Sequence, residues 1–243
     1  MSYLVVIPSR YQSSRLPGKP LIHICGIPMI VRTYQQCIKA VAPDLVVVAT
    51  DDKRIQTLCE SEGIQTVMTS QNCLTGTDRV AEVAQKIKVD TYINVQGDEP
   101  TFNPDDLSKL IKKSTEYPES IINGFCNIND EEQFRSSSIP KVVIRPDGRL
   151  LYMSRAAVPT NKSLEFIEAK RQVCAYAFPR KALYLFTKLE KKTSLEEIED
   201  IEILRFLELG YEIRMIQMSD SSISVDNPED VRKVEHKISS FLS

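Results

Sequence analysis

Histidine occurs only twice in the 243 residues, and none of the six cysteines stands in a CxxC pair. That scarcity speaks against a zinc site. No apolar run approaches 18 residues, so no membrane-spanning helix is expected. The opening MSYLVVIPSR lacks a basic n-region, and its apolar run is too short for a signal peptide. A net charge of −2 provides no chain-wide positive field, which leaves nucleic acid without support as a partner. Neither GxGxxG nor GxxxxGK[ST] occurs, so a dinucleotide fingerprint and a P-loop are both missing. Internal repeats, low-complexity tracts and a clean linker are absent too. The scattered cysteines read as free thiols, mostly buried, in a reducing cytoplasm.

What is present is an alternation. Apolar runs at 4–7, 44–52, 64–70 and 91–100 read as strands. Stretches at 28–41, 53–63, 76–87 and 103–116 carry helical spacing, with Pro28 and Pro104 at first positions and Gly63 as a stop. This is an α/β pattern: a mostly parallel sheet with helices on both faces. Such sheets bind ligands outside the carboxyl ends of their strands, so the loops 8–20, 50–52, 70–76 and 96–100 are expected at one edge. Beyond about residue 120 the pattern changes. Two β-like runs surround Asp147–Gly148, a hairpin signal. A strand is expected at 173–179, one amphipathic helix over 194–210, a strand over 211–218 and a closing helix from Asn227. The chain therefore divides within one domain into a core (1–120), a lobe (121–225) and a C-terminal helix (226–243) returning to the core.

Four places carry chemistry. IPSRYQSSRLPGKPL puts Arg10, Arg15 and Lys19 in a loop after the first strand. Arginine forks and a lysine point charge beside main-chain N–H groups suit a polyphosphate, although such a loop can also be merely solvated. NVQGDEP places Asp98 and Glu99 after a strand, where a hard cation could find oxygen ligands. Asp226 in SVDNPEDV is a helix-start acid, or a second carboxylate for that cation if the chain returns to the first strand. In the later lobe, Arg155 could hold a substrate carboxylate and Glu202 could accept from sugar hydroxyls, with Tyr176 and Glu199 nearby in sequence. His23 and His236 have no base or metal context and read as structural.

These segments, with VVVATDD, TSQNCLTGTDRVAEV, LLYMSRAAVP, SLEEIEDIEILR and VDNPEDVRKV, resemble the 3-deoxy-manno-octulosonate (Kdo) cytidylyltransferase family in order and spacing over nearly the whole chain. The resemblance implies a Rossmann-like nucleotide-diphospho-sugar transferase fold with a smaller β-rich lobe for sugar binding and dimerisation. It implies transfer of CMP from CTP to the anomeric hydroxyl of a 2-keto-3-deoxy sugar acid, for lipopolysaccharide or capsule synthesis, by a cytoplasmic homodimer. In that reading Arg10, Arg15 and Lys19 meet the triphosphate, with Lys19, Arg10 and Asp98 catalytic. Asp98 and Asp226 hold Mg²⁺. Gly76, Thr77 and Gln96 line the cytosine and ribose pocket, and Arg155, Gln172, Tyr176 and Glu202 meet the sugar. Three positions depart from the family pattern: Gln172 stands for a histidine, Ile203 for a glutamine and Thr160 for a tryptophan. Losing the glutamine amide removes a donor and an acceptor, so an 8-amino Kdo or another acid such as a nonulosonate is a further expectation. A catalytically silent nucleotide-binding homologue is the remaining alternative.

Overall fold

In the computed structural model, which describes residues 1–13, 15–189 and 191–240, the alternation is realised strand by strand. The chain opens with β1 (Tyr3–Ser9), the small hairpin β2 (His23–Ile24) and β3 (Ile27–Pro28), and helix α1 (Met29–Cys37). It continues through β4 (Val46–Thr50), α2 (Lys53–Ser61), β5 (Thr66–Met68), α3 (Gly76–Lys86), β6 (Thr91–Val95) and α4 (Pro104–Glu116). The second half holds β7 (Ile121–Ile128), α5 (Glu131–Arg135), β8 (Lys141–Ile144), β9 (Leu150–Ser154), β10 (Ala169–Pro179) and α6 (Arg180–Phe186). It ends with α7 (Ser194–Glu199), α8 (Ile203–Glu208), β11 (Ile213–Gln217) and α9 (Pro228–Ser240).

One sheet runs β11-β7-β10-β6-β1-β4-β5, and β8 and β9 extend it from β10. β1 pairs in parallel with both β4 and β6. β10 is antiparallel to all three strands it pairs with, β6, β7 and β8. The central strands are buried on both faces, which is why they read as unbroken apolar runs rather than as alternation. α1, α2 and α4 cover one face through Ile30, Ile55, Leu107 and Leu110. α3, α6 and α8 cover the other through Val80, Leu183, Phe186 and Phe206. Each such side chain contributes about 1.5–3 kcal/mol by leaving water.

Several expectations are corrected. The helix expected over 28–41 stops at Cys37, and the strand expected over 64–70 is only Thr66–Met68. The helix expected over 194–210 is two helices, broken at Asp200, which has φ +50°. Arg155 accounts for the break: its guanidinium donates to the carbonyls of Glu199 and Asp200, which then need no further helical turn. β7 is absent from the sequence reading because IINGFCNI carries Asn and Gly mid-strand. Gly124 is there for packing, since a Cβ would lie 2.3 Å from Met218 Sδ and 3.1 Å from Val173 Cβ. The cysteines are all free, but only Cys37, Cys59 and Cys126 are buried; Cys25 and Cys174 are exposed. The closing helix was expected through Leu242, and its last two positions, 241 and 242, lie outside the described residues. Among the described residues no helix is long and apolar enough to cross a membrane.

Candidate active site

The carboxyl ends of β1 and β6 approach closely because Gly97 has no side chain: a Cβ there would lie 2.8 Å from the Pro8 carbonyl oxygen. The Gly97 carbonyl is fixed in turn by the Thr33 hydroxyl at 3.1 Å. This sets Asp98 opposite the loop that follows β1. Lys19, at the start of a single 3-10 turn, donates from Nζ to Asp98 Oδ2 at 2.7 Å and to Asp226 Oδ1 at 3.3 Å. Asp226 is brought there by Val225, whose N–H donates to the Asp98 carbonyl at 2.9 Å. Val225 itself packs with Ile24, Met29 and Val234, so α9 is anchored against the β2–β3 hairpin. Arg15 adds a bond to Asp226 Oδ1 at 2.9 Å, but its side chain is 64% exposed against 14% for Lys19. The exposed pair is worth little, and Lys19 is the group held in place.

Across the cleft lies the start of α3. Thr75 caps it reciprocally with Asp78, a box that satisfies two otherwise orphaned donors. Gly76 lets the helix pass the Gln96 amide, which would stand 3.1 Å from a Cβ. The Thr77 N–H donates to Glu202 Oε2 at 3.1 Å, and the Thr77 hydroxyl donates to the same oxygen. Burial raises the pKa of Glu202, and the two Thr77 bonds oppose that rise. Together Arg10, Arg15, Lys19, Gly76, Gln96, Asp98, Glu202 and Asp226 line one cavity of about 350 Å³. Arg79, Lys192 and Asp200 line it as well and are missing from the sequence reading. Arg79 is anchored on Asp51 at 2.7 Å and on the Thr69 hydroxyl at 2.6 Å, a link between loops that no local pattern announces.

The remaining expected sugar residues do not reach this cavity wall. Gln172 and Tyr176 are buried: Gln172 Nε2 lies 3.1 Å from Tyr176 Oη and donates to Asn123 Oδ1 at 3.2 Å. The Tyr176 hydroxyl is made a much weaker acid, chiefly by burial. Arg155 spends its guanidinium on the carbonyls of Ser137, Glu199 and Asp200. Ile203, expected in the pocket, is 1% exposed in the core, and Thr160 lies in a separate groove beside β8. Replacement of a glutamine by Ile203 therefore changes core packing, not the wall of the cleft.

Glu99, beside Asp98, accepts from the Ser222 hydroxyl. Burial, aided by the Asp98 charge, pushes its carboxyl up to about 7, against the pull of Ser222 and Arg171. A raised carboxyl binds its proton more readily folded than unfolded. Its stabilising effect is thus complete in acid and is lost as pH rises from about 4.5 to about 7. Glu99→Gln is expected to raise the urea midpoint over the parent at pH 8 and to narrow that gap at pH 5. An equal gap at both values would refute the assignment.

The acid pair suits a hard divalent cation. Among the described residues no cluster of three or more His, Cys, Asp or Glu forms a metal cage. Magnesium-like ions, however, use one or two carboxylates and take their other ligands from water and phosphates. Asp98 and Asp226 already converge on one positive charge, the Lys19 ammonium.

A cleft at the carboxyl edge of a parallel sheet, with basic loop, paired acids and a capped helix start, suits a polyphosphate carrying a divalent cation. A cytidylyltransferase family model matches residues 4–214, which makes the class a nucleotidyltransferase. The 3-deoxy-manno-octulosonate cytidylyltransferase of Protochlamydia amoebophila is 38% identical, over 95% of this chain and 92% of that protein. The 8-amino-3,8-dideoxy-manno-octulosonate cytidylyltransferase of Shewanella pealeana is 36% identical, over 98% and 99%. A solved structure of CMP:2-keto-3-deoxy-manno-octonic acid synthetase complexed with CTP superposes with a TM-score of 0.92 at 33% identity, over 99% of both chains. The chain belongs to the cytidylyltransferase family, among the 3-deoxy-manno-octulosonate cytidylyltransferases.

Proposed function

We propose that this enzyme transfers CMP from CTP to the anomeric hydroxyl of 3-deoxy-manno-octulosonate or its 8-amino analogue, releasing pyrophosphate. The observation that carries this reading is the convergence of Asp98 and Asp226 on Lys19 at the mouth of the sheet. Lys19, Arg10 and Arg15 take the triphosphate and offset charge on the departing pyrophosphate. Gly76 and Gln96 border the cytosine and ribose; Thr77, expected there too, is fully buried and instead holds Glu202 from behind the wall. Glu202 accepts from sugar hydroxyls, and Arg155 positions it by holding the α7–α8 break. Gln172 and Tyr176 support the sugar site from beneath. Asp98 and Asp226 hold Mg²⁺, which when bound supplies a Lewis acid for the α-phosphate and lowers the pKa of an attacking hydroxyl. The product feeds lipopolysaccharide or capsule synthesis in a reducing cytoplasm, a setting that suits six free thiols. A homodimer formed through the β8–β9 lobe is supported by exposed Leu151 and Ile167 on that lobe.

Incubation with CTP and a panel of acids tests the reading. Pyrophosphate release is expected with the octulosonates and not with a nonulosonate. Release with the nonulosonate alone would overturn the choice of sugar, and no release with any acid would overturn the reaction.

A further inference from the structure

We propose that Arg54, outside the cleft, is a positioning residue that clamps Tyr11 and thereby sets the affinity for CTP; this rests on the reading that the Lys19 loop takes the triphosphate. Asp52 caps α2 and grips Arg54 three times: Oδ1 accepts from the Arg54 N–H and from Nε, both at 2.9 Å, and Oδ2 accepts from Nη2 at 2.7 Å. That fork fixes the guanidinium, with Cζ 3.3 Å from the centroid of the Tyr11 ring. The ring abuts Gly18, where a Cβ would come within 3.2 Å of Tyr11 Oη, and the Gly18 N–H donates to the Tyr11 carbonyl at 3.1 Å. Gly18 holds φ +69°, a left-handed conformation natural to glycine, and starts the turn whose first residue is Lys19. The contacts therefore run without a gap from Asp52 through Arg54, Tyr11 and Gly18 to Lys19. Arg10, Ser13, Arg15 and Lys19 line the cleft, whereas Tyr11 and Arg54 do not. Their part is to hold the loop against α2 from outside the cleft. No glycine-rich phosphate motif does that work here, so a cation on an aromatic ring replaces it.

The helix cap survives removal of the guanidinium, because Asp52 bonds the Arg54 main chain. Arg54→Ala is thus expected to leave thermal stability unchanged. It should raise KM for CTP about two- to fivefold, the loss expected for a cation–π contact at an exposed side chain. Saturated kcat and KM for the sugar acid should stay within twofold. Arg54→Lys, which keeps a cation at the ring, should recover most of the loss. Amide hydrogen exchange without substrate should quicken at Gly18, Lys19 and Leu21 in Arg54→Ala. Unchanged exchange, or an unchanged KM for CTP in an active enzyme, would overturn the clamp. A parent protein that released no pyrophosphate would instead sink the reading of the site, since the exchange measurement needs no turnover.

Discussion

Asp98→Asn is expected to cut CMP transfer by about 10²–10³, the cost of losing one preorganised electrostatic partner of the reacting phosphate. Asparagine keeps the shape and can still accept from Lys19, but it brings no charge. The lysine then faces Asp226 alone, at 3.3 Å instead of between two acids. The fold should hardly notice. Lys19 keeps Asp226 as a counter-charge, and the partly exposed Asp98 carboxylate at the cleft mouth carries no core packing. Pyrophosphate release beside a urea melt separates the two effects. Turnover within tenfold of the parent would remove Asp98 from the chemistry, and a collapsed melt would make its role structural.

Arg205 presents the opposite case. It and Glu196 are each 1% exposed, joined Nη2 to Oε1 at 2.7 Å with a second bond from Nε. The guanidinium also lies 3.7 Å from the Phe186 ring centroid and 3.8 Å from Asp78. Arg205→Met leaves Glu196 buried without a counter-charge, which should cost about 3–5 kcal/mol in urea unfolding. Adding Glu196→Leu removes the stranded charge and should restore most of that loss. If the double variant is as unstable as the single, packing on Phe186 rather than charge is what Arg205 supplies. Both variants also loosen α8 beneath Glu202, so KM for the sugar acid is a second readout.

The nucleotide half is legible in the sequence because its logic is local. Buried parallel strands read as apolar runs, the loops follow them immediately, and the rule for sheet edges then gathers Arg10, Lys19, Gln96 and Asp98. The lobe is less legible because distant partners decide its structure. Arg155 breaks a helix more than forty residues downstream, and Met218 fills the space that Gly124 leaves in β7. Ile203 reads as a pocket residue by its position in a motif, yet faces the core, since the break at Asp200 resets which side of the chain meets the cleft. The Arg54–Tyr11 contact joins two segments that each look complete on their own.

The bond from Val225 to Asp98 has a consequence for biosynthesis. An emerging polypeptide lays down the basic turn and the first acid well before it reaches Asp226. Incomplete chains left by stalled translation or by proteolysis lack half of the pincer. The last strand, β11, ends at Gln217, so a chain cut just short of Asp226 has every described strand and only one of the two acids.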